Sequence, residues 1–168
     1  QGESAVTALA NGHYVVVSVN WGNGAVANVG AVTWANGATG ITGTINAANS
    51  LIGTTAQDQV GVGDTYLYNV LALADGNFVV RSYRWDNGTA TNAGAVTWGN
   101  GATGISGPVS AANSLVGSQT GDGVGGDSDA LREIAPGVYI GRSGGWDNGS
   151  ITEAGAISLG LAGVGVHG

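Results

Sequence analysis

The sequence has no cysteine, no methionine and no lysine, so its four basic residues are all arginine. Without cysteine the chain has no disulfide, no zinc–thiolate site and no cysteine nucleophile. Charged residues make up only 9% of the chain, and the net charge is −7 at pH 7. A negative chain repels phosphate groups, so we expect neither nucleic acid nor an anionic membrane surface as a partner. Long apolar runs are also missing, and we expect no membrane insertion.

Glycine is the residue in greatest excess, with 33 copies in 168 positions. Because glycine adopts positive φ without strain, this content favours a chain with many tight turns and closely approaching backbones. Apolar residues make up 43% of the sequence, which argues against charge-driven disorder. Abundant glycine, alanine, asparagine and threonine without cysteine is typical of large exported bacterial surface proteins. We therefore expect a secreted or cell-surface location.

A long internal repeat organises the sequence. The pattern Trp-x-Asn-Gly begins at Trp21, Trp85 and Trp146, and each copy is followed by a Gly-Ala-Val/Ile-Thr/Ser segment. The spacing is 64 residues between the first two copies and 61 between the last two. A fixed period of this length indicates a repeat architecture. We predict one repeat domain over residues 1–168, divided into repeat 1 (1–64), repeat 2 (65–125) and an incomplete repeat 3 (126–168).

Each repeat is predicted to form short strands separated by turns, with no helix. Asn11-Gly12 and Asp75-Gly76 supply the positive φ of a tight hairpin turn between the first two strands. The second strand is β-branched and aromatic, and its apolar residues lie on both faces, which predicts burial between two sheets. The predicted strands cover residues 6–9, 14–19, 30–34 and 50–54 in repeat 1, 67–73, 78–83, 94–98 and 114–118 in repeat 2, and 131–134, 139–143 and 155–159 in repeat 3.

Repeat 3 is predicted to lack its fourth strand. Only nine residues follow Leu159, whereas 17 positions separate Trp98 from Leu115 in repeat 2. A fourth strand forms there only if residues 164–166 supply one. The chain thus carries about 2.7 four-stranded antiparallel units.

The order of motifs resembles the FG-GAP blades of integrin-type β-propellers. A Val-Gly pair at Val60 or Val124 precedes the first strand, Ala-Gly-Ala-Val-Thr-Trp ends at Trp98, and Asn-Ser-Leu follows at Leu115. The sequence is more similar still to the repeats of about this length in large filamentous-haemagglutinin-like bacterial exoproteins. This resemblance covers essentially the whole chain. It implies a β-propeller-like fold and a role in adhesion, carbohydrate binding or surface structure.

Fewer than three blades do not close a propeller ring, since propellers have about four or more. Two copies of the chain can complete one ring as a homo-oligomer, or the chain can be part of a longer array of repeats. The alternative architecture is a β-solenoid, although a solenoid coil takes about 20–30 residues and each repeat would then contain two or more unlike coils.

One feature of FG-GAP blades is missing. Such blades often hold calcium in an acidic loop between the first two strands, but here this loop is Ala10-Asn11-Gly12 and its counterparts at Asp75 and Pro136. These loops lack the several oxygen ligands that calcium requires. We predict no metal site and no cofactor. Two alternatives involving aspartates stay open: calcium ligation instead of turn capping by Asp58 and Asp122, and weak calcium binding by the cluster of Asp122, Asp127 and Asp129.

The Trp-x-Asn-Gly loops are the first candidate binding site. An aromatic ring stacks on a sugar ring, and neighbouring carboxylate or amide groups bind its hydroxyls. The alternative is that each tryptophan packs between neighbouring repeats, which also explains its recurrence. The candidate ligand-binding residues of these loops are Trp21, Asn23, Trp85, Asp86, Asn87, Trp146, Asp147 and Asn148.

Arg81 and Arg142 are the second candidate, since they occupy equivalent positions in repeats 2 and 3 where repeat 1 has Val17. A guanidinium at this position binds the carboxylate of an acidic sugar, or alternatively pairs with an acid of the chain such as Asp86 or Glu133.

No catalytic constellation is recognisable. Serines are plentiful, but no Gly-x-Ser-x-Gly elbow stands out, and neither His13 nor His167 lies in a catalytic pattern. We therefore expect a non-catalytic extracellular module for adhesion or glycan binding that self-associates or contacts neighbouring repeats. A purely structural repeat that builds a filament or oligomer is the first alternative. A glycan-acting enzyme with a pair of carboxylates is the second.

Overall fold

The computed structural model describes residues 4–63, 70–127 and 129–166. Within these ranges the chain forms twelve β-strands and no helix, which confirms the all-β prediction. Accordingly, this part of the chain holds no helix able to cross a membrane. The strands form three sheets, and each predicted repeat supplies one of them.

Sheet 1 is an antiparallel meander of β1 (Ser4–Ala8), β2 (Tyr14–Ser18), β3 (Ala31–Ala35) and β4 (Ser50–Ile52). The predicted Asn-Gly turn joins β1 to β2, and Gly12 adopts φ of 85° there. Each of these four strands pairs with the next in sequence, so the meander forms from local contacts.

Sheet 2 repeats this meander with β5 (Val70–Ala72), β6 (Phe78–Ser82), β7 (Ala95–Gly99) and β9 (Ser114–Val116); β8 (Gly107–Pro108) lies between β7 and β9 in the chain but leaves the sheet. Two sequence predictions in this region, the first three residues of the strand over 67–73 and the repeat boundary between 64 and 65, lie outside the described residues.

Sheet 3 has three strands, β10 (Leu131–Ala135), β11 (Val138–Ser143) and β12 (Ala156–Gly160). As predicted, no fourth strand follows β12 in the described part of the chain. Residues 164–166 form no strand, and Gly165 takes part only in an isolated bridge with Leu161.

Consecutive sheets share hydrophobic clusters. In the first cluster, Val17 and Leu51 of sheet 1 lie with Phe78 and Val80 of sheet 2, all at 1% exposure or less. In the second cluster, the opposite side of sheet 2 contributes Leu73, Val79 and Val96, which meet Tyr139 of sheet 3. We call the side of a sheet that packs on the next sheet its forward face, and the side that packs on the preceding sheet its rear face.

Strand β6 shows why the sequence is apolar on both sides at this position. All five of its residues are buried, with Phe78 and Val80 on the rear face and Val79 on the forward face. A strand covered on both faces is therefore continuously buried instead of alternating with polar residues. The prediction that the second strand lies between two sheets is thus confirmed for β6, whereas burial alternates along β2 and β11, which have a neighbouring sheet on one face only.

An aromatic ring on the rear face of sheets 2 and 3 fills the same place. The Phe78 ring lies over Gly99 and the Tyr139 ring over Gly160, where a Cβ would come within 2.2 Å and 2.1 Å of ring atoms. Burial raises the pKa of the Tyr139 hydroxyl to about 12. The neutral Tyr139 hydroxyl therefore contributes fully to the stability of the folded state below pH 10, and this contribution is lost as the pH rises through 12.

Strand β8 was not predicted. It pairs in parallel with β4 of the preceding repeat, with Gly107 opposite Leu51 and Pro108 opposite Ile52. The equivalent residues of repeat 1, 43–45, form no strand. Because the two segments have similar sequences, the edge of β4 and not local propensity makes β8 a strand.

Candidate functional site

Each Trp-x-Asn-Gly loop closes by the same pair of backbone hydrogen bonds. In repeat 2 the Asn87 amide donates to the Ala90 carbonyl at 2.9 Å, and the Ala90 amide donates back at 3.1 Å. Gly88 between them adopts φ of 63°, which is why glycine follows the asparagine. The same bridge joins Asn23 to Val26 and Asn148 to Ile151. All three asparagine side chains are exposed.

The tryptophans of these loops pack between repeats. Trp85 is 5% exposed and belongs to the cluster between sheets 1 and 2, which leaves no ring face for a ligand. Trp146 is half-buried against the cluster between sheets 2 and 3, and Trp21, in the first repeat, is half-buried as well. The ring is thus most covered at the junction between sheets 1 and 2. This pattern favours the packing alternative for Trp85.

Asp86 and Asp147 hold their own loops. The Asp86 carboxylate accepts a hydrogen bond from the Asn92 amide at 2.8 Å, and the Asp147 carboxylate accepts one from the Glu153 amide at 2.7 Å. Asn92 and Glu153 both adopt positive φ, which is uncommon for residues other than glycine, and the bond stabilises this turn.

The Asn87 side chain is likewise engaged, since its amide nitrogen donates to the Gly117 carbonyl at 2.9 Å. With Asp86 and Asp147 committed to backbone amides, the polar groups of the predicted loop site serve first to fix the loop.

Two buried aspartates connect one repeat to the next. Asp58 has no exposed surface, and its carboxylate accepts hydrogen bonds from the amides of Thr54 at 2.8 Å and Thr55 at 2.7 Å. Its other oxygen accepts the Asp86 amide of repeat 2 at 3.0 Å. Burial raises the pKa of Asp58 above the ordinary value of 3.8, while the three amide donors oppose the rise. Asp58 therefore caps a turn, as the turn-capping interpretation predicts, and it also accepts a hydrogen bond from the following repeat.

Asp122 repeats this arrangement between repeats 2 and 3. It is fully buried and accepts the amides of Ser118 at 2.7 Å, Gln119 at 2.9 Å and Asp147 at 3.1 Å. The repeat spacing marked the two aspartates as equivalent, but nothing in the sequence signalled the bond to the following repeat.

The acidic residues do not gather into a cation site in the described ranges, where no three His, Cys, Asp or Glu side chains come together as metal ligands. Asp122 binds backbone amides, and Asp127 accepts the Gly144 amide at 3.1 Å.

The two equivalent arginines have different surroundings. Arg81 is 9% exposed, and its guanidinium donates to the carbonyls of Gly125 and Asp127 in the linker to repeat 3. Arg81 is thus a structural bridge and not a free ligand-binding group. Arg142 is exposed and lies at a cleft between repeats 2 and 3.

This junction cleft has a volume of about 450 Å³. Its wall includes Tyr83, Asp127 and Arg142, together with glycines such as Gly123 and Gly145. An arginine, a carboxylate and a phenol ring offer hydrogen-bond donors, an acceptor and an aromatic surface. Chemically, the junction cleft suits a polar ligand that carries hydroxyl and carboxylate groups.

The corresponding place between repeats 1 and 2 is filled. There Arg84 donates to the Gln59 side chain, and Gln59 donates to Asn20 at 3.3 Å. Gly123 and Gly145 occupy the positions of Gln59 and Arg84 one repeat later. The cleft is therefore open because both partners of the hydrogen bond are replaced by glycine. This replacement was visible in the aligned repeats but carried no functional pattern of its own.

Comparison with known proteins identifies the repeat. A family model described as DUF5650, a repeat of unknown function, matches residues 8–62, 72–126 and 133–168. Neither the curated proteins nor the solved structures include a match to this chain. The three matches correspond to the three sheets and cover most of the sequence. The chain therefore belongs to the DUF5650 family of repeats.

Proposed function

We propose that the chain is a non-catalytic structural repeat module that builds an extracellular or cell-surface assembly by stacking its sheets face to face. The observation that carries this proposal is the forward face of sheet 3. Ile157 is 77% exposed there, whereas its counterpart Val96 in sheet 2 is 1% exposed. Ile134 is 56% exposed against 1% for Leu73. The residues that form an interface between sheets 2 and 3 thus recur on sheet 3, where no sheet of the described residues covers them.

Within the chain, each forward face packs on the rear face of the next sheet, so another rear face of this kind fits the exposed forward face of sheet 3. Sheet 1 presents one, since Tyr14 and Val16 are half-exposed while their counterparts Phe78 and Val80 are fully buried. The forward face of sheet 3 and the rear face of sheet 1 belong to opposite ends, so contact between copies is head-to-tail. Such contact generates a closed ring or an open filament.

The finer architecture that we propose is propeller-like. Antiparallel meanders of four strands that pack face to face are typical of propeller blades, and a second copy or further repeats complete the ring. The alternative is a solenoid-like stack, which the same pair of end faces supports. Both arrangements share the head-to-tail contact, so one experiment on that contact tests both.

We expect the wild-type chain to associate as its concentration rises, and an Ile134→Asp variant to remain monomeric. The charge lies on the apolar face that forms the proposed contact, where its desolvation opposes binding. Sedimentation velocity over a hundredfold concentration range measures the effect. Ile151→Asp is the matched control, because Ile151 is 62% exposed but lies in a loop away from the sheet face.

A mixture of two variants tests whether the contact is head-to-tail. An Ile134→Asp chain retains its rear face, and a Val16→Asp chain retains its forward face. Each variant alone is expected to be monomeric, and an equimolar mixture is expected to form dimers and no larger species. A wild-type chain that stays monomeric at all concentrations contradicts the proposal.

Carbohydrate binding is the second candidate function, and the open junction cleft favours it. We propose that Arg142 binds the carboxylate of a uronic acid there. Calorimetry with glucuronate and galacturonate oligomers is expected to show binding that Arg142→Ala weakens at least tenfold, because a charge-assisted bond is lost. Binding to no acidic sugar, or binding indifferent to Arg142, contradicts this assignment.

A further inference from the structure

Asparagine followed by glycine is prone to lose its side-chain amide, because glycine has no Cβ to shield the next backbone nitrogen from the asparagine Cγ. The reaction requires the asparagine side chain to rotate until its Cγ meets that nitrogen. A hydrogen bond that fixes the side chain opposes this rotation, so the folded structure decides which pair reacts. The six Asn-Gly pairs of the sequence begin at Asn11, Asn23, Asn36, Asn87, Asn100 and Asn148.

Four of these asparagines have side chains that are fixed by hydrogen bonds. Asn36 and Asn100 each accept two backbone amides of their own turns. Asn11 accepts one backbone amide and donates to a carbonyl of repeat 2. Asn87 donates to the Gly117 carbonyl at 2.9 Å. In each case, rotation of the side chain breaks at least one of these bonds.

Asn23 lacks both of the side-chain bonds that fix the corresponding loop of repeat 2. Its side chain is exposed and makes no hydrogen bond to the described residues, although these include Gly53, the counterpart of Gly117. Gly22 stands in the place of Asp86, so the bond by which Asp86 holds its loop has no counterpart in repeat 1 either. The Asn23 side chain is therefore free to rotate.

The exposure of Asn23 is a property of the loop and not of its place in the chain. Asn87 lies in the middle repeat, with a packed sheet on either side, and it is exposed as well. The acceptor that holds Asn87 belongs to the same repeat. The difference between Asn23 and Asn87 thus involves no residue of another repeat. The position that matches Gly117 in repeat 3 lies outside the described residues, so Asn148 offers no equivalent comparison.

We propose that Asn23 is a site of spontaneous deamidation in the folded chain, with water as the co-reactant. The Gly24 nitrogen, which donates no hydrogen bond to the described residues, loses its proton to hydroxide and attacks Cγ of Asn23. The new N–Cγ bond closes a five-membered succinimide, the Cγ–Nδ2 bond breaks, and the amide leaves as ammonia after taking a proton from water. Water then opens the ring at either carbonyl and leaves aspartate or isoaspartate. This site does not depend on the stacking proposed above.

The modification changes both the charge and the backbone of this loop. Residues 21–30 include no acid, so the new carboxylate gives the loop of repeat 1 the negative charge that Asp86 and Asp147 give to the other two loops. In isoaspartate the chain continues through the former side chain. The Asn23 carbonyl, which accepts the Val26 amide at 3.1 Å, then becomes a carboxylate outside the main chain. The bridge between Asn23 and Val26 is therefore expected to open in that product.

Incubation of the purified full chain in heavy-oxygen water at mildly alkaline pH tests the site. Each deamidation event then incorporates heavy oxygen, which distinguishes it from amide loss during digestion, and peptide mass spectrometry locates it. We expect Asn23 to react about fivefold faster than Asn87 or more, since Asn87 first has to break its hydrogen bond to Gly117. The rate at Asn23 is expected to rise with pH, because the attacking Gly24 nitrogen has to lose its proton. Equal or faster reaction at Asn87 overturns the proposal.

Two controls separate the effect of the fold from that of the local sequence. In guanidinium chloride the hydrogen bond of Asn87 is lost, and Asn23 and Asn87 are expected to react at similar rates. A difference that persists there shows that the preceding residue sets the rate, and overturns the proposal. The Gly24→Ala chain is expected to react roughly tenfold more slowly at Asn23, because a Cβ shields the attacking nitrogen. No atom lies within 4 Å of that Cβ, so the variant has room to fold. Unchanged reaction in a folded Gly24→Ala chain excludes attack by this nitrogen and overturns the proposal.

Discussion

Replacement of Asp58 by alanine is expected to lower the free energy of unfolding by about 3 kcal/mol or more. The carboxylate is fully buried, and its removal leaves the amides of Thr54, Thr55 and Asp86 without their acceptor. A buried donor that loses its partner costs roughly 1–3 kcal/mol. Urea denaturation followed by tryptophan fluorescence measures the change.

The exposed residue Asp129 provides the control, and Asp129→Ala is expected to stay within about 0.5 kcal/mol of the wild type. Asp58→Asn is expected to fall between the two, because an amide retains one acceptor oxygen but directs an NH₂ group at the remaining donors. A loss below about 1 kcal/mol for Asp58→Ala would show that water replaces the carboxylate at no great cost.

The second large effect is expected for Gly94→Ala, with a loss of roughly 2–5 kcal/mol. Gly94 begins the Gly-Ala-Val segment and adopts φ of 75°. A Cβ there would lie 2.4 Å from the Val124 backbone nitrogen, so the linker to repeat 3 has to move. Left-handed backbone costs an alanine roughly 1–2 kcal/mol, and the overpacking adds about 1–3 kcal/mol.

Gly88→Ala separates these two contributions. Gly88 adopts φ of 63°, and no atom lies within 4 Å of a Cβ added there. Its loss is therefore expected to be about 1 kcal/mol, due to the backbone alone. Equal losses at the two glycines would show that the close approach of Val124 relaxes freely, and that the interface between repeats is looser than its packing indicates.

Much of the fold was predictable because its signals are local. The tight turns required glycine at Gly12 and Gly76, the strands were β-branched, and the fixed period assigned the same role to equivalent residues. The continuous burial of β6 followed from apolar residues on both of its faces. Strand β8 was not predictable, since residues 43–45 have a similar sequence and form no strand. Its conformation depends on the edge of β4, a contact between residues more than 50 positions apart.

The candidate site was harder to predict, because one sequence position has two environments. Arg81 and Arg142 are equivalent in the repeat, yet one binds carbonyls in the interior and the other is exposed. The difference arises from what lies in front of each sheet, which the position itself does not encode. The recurrence of Trp85 was equally compatible with packing and with binding, and only its burial distinguishes the two.

Strand β8 belongs to repeat 2 in the sequence but pairs with β4 of sheet 1. The folded unit therefore does not coincide with one repeat of the sequence. A fragment that ends near residue 64 retains β1 to β4 but loses Gly107 to Val109, which pair with β4 and complete the first cluster. The smallest self-sufficient piece is thus longer than one period and begins or ends inside a neighbouring copy. Fragments of such repeats for expression or recombination are best ended after β8. A boundary placed by the alignment of the repeats alone separates sheet 1 from β8, its edge strand.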